Sequence, residues 1–138
     1  MAKRILCLDI GAVRIGVALS DPLGMFAQGV AVLSAKGKWK IELDALMERH
    51  EVALLLVGLP LRTDGSRGPE ARRILDMVHA LKERYPSVEV RTWDERYSTV
   101  TAHQSLKERG FSEERRRGMV DKTAAAVILQ SFLDSRQS

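Results

Sequence analysis

The chain has 138 residues, 45% hydrophobic and 29% charged, with a net charge of +4. Those values are those of one folded domain, here expected to span residues 1–138, and they exclude a disordered chain. No apolar run approaches the roughly 18 residues of a membrane-spanning helix.

The start, MAKRILCLDIGAVRIG, has a charged Arg14 where a leader's apolar core would lie, so the expected location is the cytoplasm. Cys7 is the only cysteine, which excludes an internal disulfide and suits a reducing compartment. With one Cys, and with His50, His79 and His103 dispersed, no zinc-ligand spacing is present. Any metal should therefore be a hard cation held by oxygen. Arginine outnumbers lysine 15 to 7. That bias favours phosphate, which the guanidinium fork grips bidentately, although a plain basic surface would show it too.

Residues 4–10 (RILCLDI) read as a strand buried on both faces. Residues 14–20 (RIGVALS) read as its hairpin partner and residues 29–34 (GVAVLS) as a third strand. Trp39, Leu43, Leu46, Met47 and His50 follow helical spacing. Residues 52–58 (VALLLVG) form the continuous apolar run of a central parallel strand. A polar loop follows, LPLRTDGSRGPE, and Pro69 suits the first position of the next helix, which Pro86 stops. Residues 88–93 (VEVRTW) read as the fifth strand. Ser98 could cap a helix running to about Arg109, and a last helix is expected from about Met119 to Asp134, with Asp121 at its opening. Short turns make the first three strands antiparallel. Helical crossovers make the last two parallel to the first. The predicted fold is α/β, a mixed five-stranded sheet with helices on both faces.

Asp9 is a carboxylate inside a buried strand, and burying it costs free energy unless it is paired, hydrogen-bonded or metal-bound. Open α/β sheets place ligands beyond the C-terminal ends of their parallel strands. Asp9 lies near the end of the first strand, Glu95 just past the end of the fifth, and Asp121 at the last helix. The topology sends all three to one edge. Clustered carboxylates repel, and Mg²⁺ or Mn²⁺ would turn that repulsion into affinity. Two such ions, about 3.5–4 Å apart, can activate a water and stabilise the leaving oxygen of a phosphodiester. Taken singly, each acid has an ordinary alternative. Asp9 could be satisfied by backbone N–H groups, Glu95 could pair with Arg96, and Asp121 could complement its helix end.

At these residues the sequence resembles a known family. DIGAVRIGVALSD, VGLPLRTDGSRG, DERYST and VDKTAAAVILQSFLD stand in the order and spacing of the YqgF, or RuvX-like, proteins. The resemblance runs from Lys3 to about Leu133. It implies a ribonuclease H-like fold and a metal-dependent nuclease whose metal-binding catalytic acids are Asp9, Glu95 and Asp121. It implies precursor small-subunit ribosomal RNA as substrate, with ribosomal particles as partners. An older assignment for the family is Holliday junction resolvase.

Arg14, Arg62, Arg67, Arg96, Arg116 and Lys122 are the candidate nucleic-acid contacts. The alternatives are a solvated hairpin charge for Arg14, an ordinary surface loop for Arg62 and Arg67, and a carboxylate-positioning role for Arg96. Glu113 and Glu114 dilute the arginine run before Asp121. With aromatic content at 5% and no RNA-stacking motif, backbone or shape recognition is expected, and Trp39 and Trp93 are expected in the core. Three other functions compete with an RNA nuclease. A resolvase of branched DNA needs two sites and therefore a homodimer, whereas the RNA nuclease could act as a monomer. A non-catalytic ribosome-maturation factor would bind RNA only. An ATPase is suggested by DIGAVRIG, which resembles the first phosphate loop of the actin and hexokinase type, but that fold needs a second phosphate loop and a second domain, and neither is read in this sequence.

Overall fold

The computed structural model describes residues 4–98, 121 and 123–136. Its elements in chain order are β1 (Arg4–Ile10), β2 (Arg14–Ser20), β3 (Ala27–Ser34), α1 (Trp39–Arg49), β4 (Val52–Leu59), α2 (Pro69–Arg84), β5 (Glu89–Asp94), a 3₁₀ turn (Glu95–Tyr97) and α3 (Ala124–Ser135). The sheet order is β3-β2-β1-β4-β5. β1 pairs antiparallel with β2, and β2 antiparallel with β3. β1 pairs parallel with β4, and β4 parallel with β5. This is the mixed five-stranded sheet expected from the pattern of turns and crossovers.

Alternation along the strands divides the core in two. Leu6, Leu8, Ile15, Val17, Leu55 and Val57 face α1 and α2, where Leu43, Met47, Ile74 and Leu81 meet them. Cys7, Ala18, Ala27 and Leu56 face the other way, against α3. On α3, Ala125, Ile128, Leu129, Phe132 and Leu133 recur at helical spacing and form the stripe laid on the sheet. Burying one such leucine contributes about 1.5–3 kcal/mol, so both faces are held mainly by apolar contact.

β4 and β5 end one residue later than the sequence reading, β5 also begins one later, and two boundaries differ by more. β3 begins at Ala27 because the Gln130 side chain of α3 accepts a hydrogen bond from the Ala27 N–H at 2.9 Å and donates to the Met25 carbonyl at 2.8 Å. That contact joins residues over a hundred apart and has no local signal. The last helix begins at Ala124, not near Met119. Asp121 stands ahead of it and accepts from the Thr123 N–H at 2.9 Å, which turns the chain before the helix starts. The helix expected from Ser98 to Arg109 lies outside the described residues, apart from Ser98 itself. No described helix is long and apolar enough to cross a membrane.

Candidate active site

Asp9 is the sixth residue of β1 and points to the α3 face, opposite Gly16 of β2. It is partly buried. A side chain at Gly16 would lie 3.8 Å from the Asp9 Cβ and 3.4 Å from the Ala125 Cβ, so the small residues beside Asp9 leave its carboxylate room.

Glu95 is positioned by several contacts around the 3₁₀ turn. Asp94 caps the turn by accepting from the Arg96 N–H at 2.9 Å. The Ser98 hydroxyl donates to the Glu95 carbonyl at 2.5 Å. From α3, Ser131 accepts from the Trp93 indole N–H at 3.1 Å and donates to the Tyr97 carbonyl at 2.8 Å, so it fastens the chain on both sides of Glu95. Trp93 also packs edge-on against Phe132, with ring centroids 5.2 Å apart. The Glu95 side chain then folds back over Gly58 of β4. A Cβ there would come within 3.2 Å of the Glu95 Cγ and 2.9 Å of the Ile128 Cδ1. Because β4 lies between β1 and β5, this brings Glu95 toward Asp9.

The electrostatics agree with that placement. Burial raises the Glu95 carboxyl, and the charges of Asp9, Glu70 and Asp94 raise it further, to about 7. Asp9 is raised as well, by burial first and then by Glu70. Asp121 behaves differently. Burial acts to raise it, yet hydrogen bonds from the Gly29 and Thr123 N–H groups hold it below the ordinary carboxylate range. Its Oδ2 lies 2.7 Å from the Gly29 nitrogen. Asp9 and Glu95 are therefore brought together, whereas Asp121 is anchored to edge strand β3 on the same face of the sheet. Among the described residues, no group of three or more His, Cys, Asp or Glu side chains is gathered tightly enough to hold a metal ion.

The basic candidates are spread around this edge. Arg14 is exposed at the start of β2. Arg62 and Arg67 are exposed in the loop after β4. That loop is folded: the Arg62 N–H donates to the Ser66 carbonyl at 3.0 Å, the Ser66 N–H and hydroxyl both donate to Asp64, and Gly65 takes φ +86° at the tip. Arg96 forms an ion pair with Asp94 at 2.6 Å and reaches the Thr63 carbonyl at 3.3 Å, so it ties the loop to the Glu95 turn. This is the positioning alternative that the sequence left open for Arg96. Arg116 and Lys122 lie outside the described residues. Trp39 is buried, and Trp93 is partly buried beside α3.

Two features escaped the sequence reading. Gly16, Gly29 and Gly58 lie against Asp9, Asp121 and Glu95 respectively. Glycine inside a strand marks a close approach, and that signal was present in RIGVALS, GVAVLS and VALLLVG. Glu70, in the first turn of α2, adds a further acidic charge near Asp9 and Glu95. It reads in the sequence only as an acidic residue suited to a helix start.

A family model described as RuvX, Holliday junction resolvase, matches residues 3–135. A Clostridium kluyveri protein named "Putative pre-16S rRNA nuclease" is 41% identical over 133 residues, covering 95% of this chain and 96% of the relative. A Clostridium botulinum protein of the same name is 40% identical, covering 96% of this chain and 97% of that one. Among solved structures, Thermus thermophilus RuvC in complex with a Holliday junction substrate aligns with a TM-score of 0.57 at 14% identity, covering 99% of this chain and 96% of that one. That likeness establishes the fold, a RuvC-like ribonuclease H architecture.

Proposed function

The chain belongs to the RuvX family, and on that premise we propose that it is a divalent-metal-dependent nuclease hydrolysing phosphodiester bonds in precursor small-subunit ribosomal RNA. One observation carries the catalytic part: Glu95 folds over Gly58 of β4, the strand beside β1, where the charge of Asp9 reaches it, and both partly buried carboxylates are raised above their ordinary range. The substrate follows the curated relatives that share about 40% of the sequence over nearly the whole chain.

The donor set fits Mg²⁺ or Mn²⁺. Both groups offer hard oxygens, and a dication would relieve the repulsion between them. Mg²⁺ commonly takes only one or two carboxylates and completes its shell with water and substrate phosphate. Asp9 and Glu95 would hold it, with Asp121 as the third acid of the site. When bound, such an ion neutralises phosphate charge and lowers the pKa of a water. The remaining tasks fall to this chain's own groups. Arg14, Arg62 and Arg67, with Arg116 and Lys122, would hold backbone phosphates. Arg96 would fix the loop relative to Glu95. Water is the nucleophile, and Ser98 is engaged as a capping hydroxyl.

The family description supports one further reading, a junction-resolving DNA nuclease with the same acids. A single experiment separates the two: end-labelled precursor ribosomal RNA and a labelled four-way DNA junction, each incubated with Mg²⁺, Mn²⁺ or chelator. Metal-dependent cutting of the RNA, lost in Asp9→Asn, is the expected result. Cutting of the junction alone would replace the substrate, and no cutting of either would overturn the nuclease reading in favour of a binding factor.

A further inference from the structure

A second basic feature lies at the opposite end of the sheet from the carboxylates. A cavity of about 260 Å³ opens where β1, β4 and β5 begin, lined by Arg4, Arg91, Arg136 and Glu89 over an apolar floor that includes Ile5 and Leu54. Along β1, Arg4 is five residues from Asp9, or about 17 Å at ~3.3 Å per residue. The cavity is thus separate from the acidic site.

Among the described residues that line it, cations exceed anions. Glu89 forms an ion pair with Arg91. Arg4 and Arg136 have no carboxylate within ion-pair distance among the described residues. The C-terminus of α3 contributes the equivalent of roughly half a negative charge. Three guanidiniums against Glu89 and that helix end leave a positive surplus. The surplus is also held in place. Arg91 and Arg136 lie over the ring of buried Phe132, with guanidinium carbons 5.8 and 5.5 Å from its centroid. Arg4 donates from Nε to the Ser20 carbonyl at 2.8 Å, which leaves its terminal nitrogens to turn elsewhere. Anchored guanidiniums lose less entropy when they bind a ligand. At this volume the cavity is smaller than the ~300–1,000 Å³ of drug-sized ligand sites, and it suits one phosphoryl group with its sugar.

We propose that this arginine-lined cavity is a phosphate-binding site that takes a backbone phosphate of the nucleic-acid substrate several nucleotides from the bond being cut. That identification of the ligand rests on the nuclease reading above. The same chemistry would accept free inorganic phosphate, and the test separates the two sources.

In the first arm, a fluorescein-labelled single-stranded RNA of twelve nucleotides is titrated with the full chain in EDTA at several salt concentrations. Arg136→Gln should weaken binding several-fold and reduce the salt slope by about 0.7 for each phosphate no longer neutralised. Glu89→Gln removes the carboxylate that lines the cavity and should tighten binding, a direction that a merely destabilised variant would not produce. In the second arm, inorganic phosphate is added and the melting temperature followed. A rise in the wild type, absent in Arg136→Gln, together with unchanged RNA affinity, would assign the cavity to free phosphate and overturn the substrate role. No difference among wild type, Arg136→Gln and Glu89→Gln in either arm would overturn the site altogether. Cleavage in Mg²⁺ is scored separately. Binding that responds without any cleavage would reject the nuclease and keep the cavity, whereas cleavage without any binding response would reject the cavity alone.

Discussion

The two faces of the sheet are built to different rules. Toward α1 and α2 the strands present Leu6, Leu8, Ile15, Val17, Leu55 and Val57, large side chains that meet equally large partners. Toward α3 they present Ile5 and Leu56 away from the carboxylates but otherwise the small Cys7, Ala18 and Ala27, with Gly16, Gly29 and Gly58 beside them. The first face is thick. The second is thin, and its missing side chains are the space in which Asp9, Glu95 and Asp121 lie. One face thus supplies most of the stabilising apolar bulk, and the other gives up packing so that carboxylates can stand against the sheet.

The largest expected effect of a substitution is on the thin face. Asp9→Asn should lower cleavage by more than the roughly 10–100-fold that removal of an outer-shell metal partner costs. Its melting temperature should stay level or rise, because a partly buried charge is removed. A strong fall in melting temperature would make Asp9 a structural group. On the thick face, Leu55→Ala should cost about 2–5 kcal/mol in urea unfolding, with specific activity of the folded fraction unchanged. Gly58→Ala tests the contrast directly. Its new methyl would press on Ile128 and Glu95, so it should cost about 1–3 kcal/mol and reduce turnover as well. If Gly58→Ala stayed fully active, the empty space would not serve the site.

Smaller still is the pH effect. The Glu95 carboxyl keeps its proton to about pH 7 when folded, against an ordinary value of 4.5. Between those values the folded state is the tighter proton binder, so metal-free protein loses stability from this group as pH rises through them. Melting curves in EDTA from pH 4 to 8 should therefore fall more steeply for the wild type than for Glu95→Gln, and Mg²⁺ should offset the difference at pH 8. The smallest effect belongs to Arg62→Ala, which should leave the melting temperature unchanged while lowering RNA affinity and its salt slope. Unchanged affinity would remove the loop after β4 from the contact surface.

The thick face was easily legible in sequence. Its apolar residues recur with strand and helix periods, and β1, β2 and the start of α2 fall where those periods and Pro69 place them. The thin face was legible only in part. Asp9 stood out because a carboxylate interrupts an apolar strand, and Glu95 because it follows one. The glycines beneath them carried no periodic signal, since a missing side chain has no hydropathy to repeat. Asp121's attachment to Gly29, and the two residues added to β3 by Gln130, depend on contacts between distant parts of the chain. Glu70 was hidden by its ordinary place in a helix's first turn.

Glu95 lies between the two members of an ion pair, Asp94 and Arg96, and Arg96 also reaches the loop carbonyl of Thr63. The loop and the acid are therefore parts of one mechanical linkage. If the loop holds a strand as proposed, force on it would be delivered to the backbone on either side of Glu95. On that reading grip and chemistry would share one arginine, and a change in the loop would retune both together.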